Sequence, residues 1–179
     1  MFFNLFKKKE ATSSFIDKTF CSLDAKKRAC VALARKDASV VFVAWFPDTA
    51  SVFKELFVAN QLTEDRIVEV RNLHGAKINH FRPVFLEHFP LSAKEDELVK
   101  NWEAKQIDVY NSLDEGLFKY FGGERMLALM QQMGMQEDEV IEHALISKSI
   151  RNAQDKIARQ LILEQSAQSQ TEWLKKNIG

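Results

Sequence analysis

The stretch "ASVVFVAWF", residues 38 to 46, decides the fold. From Val40 to Phe46 it is continuously apolar, rich in β-branched and aromatic side chains, and too short for a helix of that hydrophobicity. Such a run reads as a strand buried on both faces, which belongs in a parallel sheet covered on both sides. Pro47-Asp48-Thr49 then ends the strand and caps a helix, "TASVFKELFVANQ", with Val52, Phe53, Leu56 and Phe57 as its buried stripe.

Working outward, "LDAKKRACVALARK" (23 to 36) is an upstream helix with Leu23, Ala29, Cys30, Leu33 and Ala34 at mostly helical intervals. Downstream, "RIVEVRNL" (66 to 73) and "RPVFLEHF" (82 to 89) are further strands, the second entered and left by Pro83 and Pro90. In "SAKEDELVKNW", Ser92 with Glu95 forms a capping-box pattern ahead of a helix. "IDVYNS" is a last short strand, and Ser112 with Glu115 repeats the capping pattern before "LFKYF".

Strands thus alternate with helices between residues 38 and 115, the pattern of right-handed crossovers in a parallel sheet. After Gly122-Gly123 no strand signal remains. "ERMLALMQQMGM" is a Leu- and Met-rich helix stopped near Gly134, and 137 to 176 reads as helical. The expected fold class is α/β: a small three-layer domain with a mostly parallel sheet, plus a C-terminal helical extension. Residues 1–14 form an N-terminal tail, 15–123 the α/β domain and 124–179 the extension.

Composition narrows the function. The chain has 25 basic and 25 acidic residues, so no global field draws it to nucleic acid. Its two cysteines, Cys21 and Cys30, sit nine apart on the expected first helix with no metal-type spacing. They read as reduced thiols of a cytoplasmic protein. No apolar run reaches the ~18 residues of a membrane span. In "MFFNLFKKKE" the apolar residues Phe2, Phe3, Leu5 and Phe6 precede Lys7 to Lys9, the reverse of a secretory signal. That order suits packing on the domain, or a weak peripheral contact with a membrane or partner.

The stretch "YNSLDEGLFKYFGGERMLALMQQMGMQEDEVIEHALISKSIRNAQDKI" resembles SecA, the ATPase motor of preprotein translocation. The residues that carry the resemblance are Ser112-Leu113-Asp114, Leu117, Phe121, Glu124-Arg125, Met133-Gly134, Ile141-Glu142-His143, Lys148, Ile150 and Ala153-Gln154. "SLDAKKRACVALARKDASVVFVAWFPDTASVFKELF" looks like the helix-strand-helix that opens the same lobe. The resemblance implies a helicase-like second motor lobe followed by the start of a scaffold helix, on which other domains dock. It also implies glycine- and arginine-rich nucleotide contacts, and these are missing. No G-x-x-x-x-G-K-[ST] loop exists, and Pro47-Asp48-Thr49 stands where a glycine-rich turn would follow the first strand.

The expectation is therefore a non-catalytic, SecA-related interaction module without cofactor, with no ATPase activity of its own. Its partner would be a translocation component or a second copy. The docking surface would be the C-terminal helix, through Ile146, Ile150, Ile157, Leu161 and Trp173. The alternatives are an enzyme or nucleotide binder using the strand-end crevice, or an incomplete subunit completed by a separate ATPase. In an open parallel sheet ligands bind beyond the strands' carboxyl ends, which here offer Asp48, Asn72, His74, Glu87, His88 and Asn111, with Asp48, His74, Glu87 and His88 as the crevice candidates. His74, Glu87 and His88 would suit a metal only if strand order brought them together, and neighbouring residues 87 and 88 should point to opposite faces. His143 should fix the entry of the long helix.

Overall fold

The computed structural model describes residues 15–73, 80–100, 102, 106–120, 122–132 and 134–179. Five strands form one all-parallel sheet in the order β1-β5-β4-β2-β3: β1 Phe15–Phe20, β2 Val40–Ala44, β3 Ile67–Glu69, β4 Arg82–Phe85 and β5 Ile107–Ser112. Strand β2 lies between β3 and β4, with Phe42 opposite both Ile67 and Val84. Its alternation feeds two cores at once. Val40, Phe42 and Ala44 enter one cluster, and Val43 enters another on the opposite face.

The first face is covered by α1 (Leu23–Lys36) and α2 (Pro47–Ala59). Ala25, Cys30 and Ala34 give α1 a thin edge on the sheet, while α2 sends in Phe53 and Phe57, the latter edge-on to Phe42. The second face is covered by α3 (Ser92–Val99), whose Val99 and Leu98 pack with Trp102 on Phe15, Phe85, Ile107 and Val109. The chain is thus a three-layer α/β structure.

A third cluster closes the carboxyl end of the sheet. It is built by α4 (Gly116–Tyr120), α5 (Gly123–Gln132), α6 (Ala144–Gln160) and α7 (Gln170–Asn177). Ile146, Ile150 and Ile157 of α6 and Trp173 and Leu174 of α7 pack with Phe46, Phe89, Leu113, Leu117 and Phe118. The stretch 137 to 176, read as helical, thus resolves into two helices. Before α6, Ile141 makes an isolated antiparallel bridge with Thr19 on the open edge of β1, its N–H and C=O bonded at 2.9 and 3.0 Å. His143 then caps α6, its Nδ1 accepting the Leu145 N–H at 3.1 Å. The chain leaves helix at Leu161, and Ser169 restarts it by accepting the Glu172 N–H.

Other local expectations also change. Strand β1 was not anticipated, because Asp17 and Lys18 dilute its apolar pattern. The strand over 66 to 73 shrinks to Ile67–Glu69 between two 3-10 turns. Helix α2 starts at Pro47 itself, with no side-chain cap from Thr49. The capping box at Ser92 does not form, because Glu95 is used elsewhere. Cys21 precedes α1, whereas Cys30 is buried within it.

The approach of α5 to α4 depends on Gly123. A Cβ there would lie 2.6 Å from the Leu113 carbonyl oxygen and 2.9 Å from Phe118 Cβ. Backbone cannot yield as a flexible side chain does, so Gly123→Ala is expected to destabilise by about 1–3 kcal/mol. Urea unfolding checks this: the midpoint should fall with the slope unchanged.

Candidate functional site

Where each strand of a parallel sheet ends, the next helix begins, so the sheet's carboxyl end gathers helix N-termini. Unpaired N–H groups there make ready anion sites. In this chain the first turns of α1, α2, α4 and α7 surround a cleft of ≈ 330 Å³. Its lining includes Lys26, Asp48, Thr49, Glu87, Asp114 and Glu115.

Four main-chain donors around this cleft already have partners, while Lys119 also lines it. Glu87, just past β4 and buried, accepts the Phe46 N–H at 3.2 Å and the Thr49 hydroxyl at 2.8 Å. Asp114 accepts the Leu23 N–H at 3.0 Å. The Asp48 N–H is taken by the Gln168 carbonyl at 3.0 Å, and the Leu117 N–H by Gln170 Oε1 at 2.6 Å. Beneath them Lys26, only 1% exposed, donates to the Leu86 carbonyl and the Glu115 carboxylate. Glu115 also accepts the Ser112 hydroxyl. Carboxylates and an amide of the chain itself thus stand where a phosphate would need free N–H groups.

Burial sets the charge state of this cluster. It pushes the Glu87 carboxyl up to about 7, against the pull of the Lys26 ammonium. Burial also raises Glu115, and again Lys26 opposes the shift.

His88 lies apart from Glu87, in a second buried network. Its Nε2 meets Asp17 Oδ1 at 2.6 Å and its Nδ1 meets Glu95 Oε1 at 2.8 Å. Burial alone would depress the imidazole, but Glu95 and Asp17 override it and raise the ring to about 10. Both ring nitrogens therefore donate, and neither offers a metal a lone pair. Burial likewise favours the neutral form of Asp17, yet His88, with Asn111 Nδ2 donating at 3.0 Å, holds that carboxyl below its ordinary value. Gln154 of α6 donates through Nε2 to Glu95 at 2.8 Å and to the Phe89 carbonyl at 2.7 Å. Gln170 of α7 donates to the His88 carbonyl at 2.8 Å.

Of the strand-end residues singled out in the sequence, Asp48 and Glu87 meet in the cleft. His88 does not, which removes it from any shared ligand set with Glu87. His74 lies outside the described residues. Of the expected docking residues, Ile146, Ile150, Ile157 and Trp173 are corrected to core positions buried against the sheet end, with Leu161 packed partly beside them. A partner would meet other side chains. Lys26, Asp17, Glu95, Gln154 and Gln170 were missed, although Lys26 falls among Leu23, Cys30 and Ala34 on the apolar side of α1. A lysine on such a stripe signals a buried ion pair.

Two outcomes are expected. His88→Ala would leave Asp17 and Glu95 buried without their cation and cost about 3–5 kcal/mol. Because the ring is raised, its contribution is complete below about pH 6.5 and is lost as the pH climbs through about 10; chemical denaturation across that range reads it. Glu87 has the same sign, since its pKa is also raised on folding and stability again falls as the pH rises. Its ionised form is penalised by folding, and that penalty grows from its ordinary value near 4.5 and is full above about 7. Glu87→Gln should therefore raise the Tm at pH 8 by about 2–4 °C and leave it unchanged at pH 4.

No protein-family model matches the chain. Part of it is similar to translocase proteins. It is 48% identical over 48 residues to protein translocase subunit SecA 1 of Alkaliphilus metalliredigens, and 54% identical over 48 residues to SecA of Alkaliphilus oremlandii. It is also 51% identical over 51 residues to SecA of Syntrophobacter fumaroxidans. These matches cover 27% to 28% of this chain and 5% to 6% of each relative. About a quarter of the chain is thus a SecA-related region, as long as the 110–157 stretch quoted above.

Proposed function

We propose that this chain is a non-catalytic interaction module, related to the second motor lobe of SecA and the start of its scaffold, whose nucleotide position is filled from within. One observation carries the reading. The N–H groups of Leu23, Phe46, Asp48 and Leu117 at the carboxyl end of the sheet are bonded to Asp114, Glu87, Gln168 and Gln170. An incoming triphosphate would have to displace these partners and face carboxylates at once. The absence of a glycine loop and of a Walker-type lysine supports the same conclusion.

On this reading the chain divides into a tail (1–14), a degenerate motor lobe (15–123) and a helical extension (124–179). It works in the cytoplasm through a protein partner. The relatives' description as translocase subunits favours a translocation component over an unrelated one. The outer surface of the C-terminal helices, not their buried stripe, is what such a partner would meet.

A thermal-shift series with ATP and ADP, each with magnesium, tests the reading. A ligand with a Kd near ~100 μM would add about 1.4 kcal/mol at ~1 mM, a rise of roughly 3–6 °C for a chain of this size. The expected result is no saturable shift with either nucleotide and no hydrolysis by the purified chain. A saturable rise, or ATP cleavage unaided, would overturn the proposal.

A further inference from the structure

Helices α1 and α2 cover the first face of the sheet, and a groove of ≈ 470 Å³ lies between them. Its floor is apolar: Ala32 is exposed, Leu56 half-buried and Val31 nearly covered. Its rim is cationic, with Lys27, Arg28 and Arg35 against a single lining acid, Asp24. A run of charge on a helix is ordinarily a solvated face. Here the cations border a concavity, and the chain has no net charge to spread a general field, so the sign is local.

Arg28 shows what this rim takes. Its Nε and Nη2 donate to Asp138 Oδ1 at 2.9 and 2.5 Å, and Nη2 also reaches Glu137 at 3.2 Å. Both acids belong to the segment before α6, so an acidic stretch of the chain itself already ends on this rim. Lys27 and Arg35 are engaged far less. Among the described residues Lys27 pairs with Asp24 at 3.9 Å, and Arg35 donates to the Asn60 carbonyl at 3.3 Å.

The spacing of these groups is specific. Lys27, Val31 and Arg35 recur every four residues along one side of α1, which sets them ~6 Å apart along its axis. In an extended peptide, alternate side chains on one face stand ~6.6 Å apart. Carboxylates at its first and fifth positions would meet Lys27 and Arg35, and the third side chain would rest on Val31, Ala32 and Leu56.

We propose that this groove docks an extended acidic peptide of a partner protein, with the pattern acid-x-aliphatic-x-acid. Charge complementarity sets the sign of the partner, and the match of the two repeats sets its register. The groove shares no lining residue with the strand-end cleft, so the inference stands whether or not the cleft binds nucleotide.

Fluorescence anisotropy of the full chain with a labelled, end-blocked peptide tests it. The probe has glutamates at its first and fifth core positions, leucine at the third and serines between. The control has the same composition and charge, with the leucine moved to the second position. The expected result is saturable binding of the probe, at least ~fivefold tighter than the control, because the leucine then meets the apolar floor. Lys27→Gln with Arg35→Gln should weaken the probe at least ~fivefold, as should Ala32→Glu, and raised salt should weaken it further. None of the three residues is buried, so circular dichroism and the Tm of both variants should match the parent. Absence of saturable binding by the probe overturns the proposal. Equal binding of the control does so too, as does undiminished affinity in either variant, since the contact is then not the one described. Binding of polyuridylate that the double glutamine variant loses, with none of the probe, would make nucleic acid the occupant and equally ends the peptide reading.

Discussion

Four helix N-termini converging on one end of a parallel sheet create a concentration of positive dipole that something must neutralise. The chain meets this constraint with its own carboxylates. Asp114 and Glu87 take main-chain N–H groups directly, and Lys26 stands below with Glu115 as its counter-ion. Any polyanion would meet these carboxylates at the helix N-termini. The position of α7 and the chemistry of the cleft follow from how that end is closed.

The same closure joins the C-terminal helices to the sheet. Gln154 and Gln170, from different helices, reach the carbonyls of Phe89 and His88, adjacent residues after β4. The turn after β4 is held in place from behind by the imidazolium of His88 between Asp17 and Glu95. Phe89 itself meets Phe46, Trp45 and Trp173. One short segment therefore carries the polar and the aromatic contacts between the sheet and the hairpin of α6 and α7. Buried charges of this kind seldom add net stability over apolar packing. What they impose is a single seating, because any other register would strand a charge.

The layer architecture was legible because the doubly buried strand around Val40 to Ala44 is written as a local apolar run. β5 and the helices beside them follow equally local patterns of period and turn. Strand β1 was not legible, because its buried Asp17 is satisfied by partners 71 and 94 positions away. Glu95 misled for a related reason: its spacing from Ser92 fits a capping box, yet the side chain turns inward to His88 and the Phe89 N–H. The apolar stripe of α6 was read correctly as a stripe and assigned to the wrong neighbour. Periodicity shows that a face is buried and is silent on whether the covering surface belongs to the same chain. At the cleft, Asp48 and Glu87 could be placed by the rule that ligands gather at strand ends. Their partners could not, since Gln168 and Gln170 arrive from a segment whose fold-back has no local signature.

Whether α7 is a lid or a fixed part of the domain follows from what its departure would expose. Removing it would leave the Leu117 N–H and the His88 carbonyl without their present partner, Gln170. Each unsatisfied buried group costs about 1–3 kcal/mol, although water entering the opened cleft would recover part of that. Trp173, 1% exposed, and Leu174 would lose their apolar surroundings as well, at about 1.5–3 kcal/mol for a large apolar side chain. Gly116 completes the argument, since a Cβ there would lie 2.9 Å from Thr171 Oγ1. The residue before α4's first buried side chain has been kept bare so that α7 can sit against it. A helix seated this closely, with its Gln170 amide carrying two main-chain bonds, behaves as a structural layer of the domain.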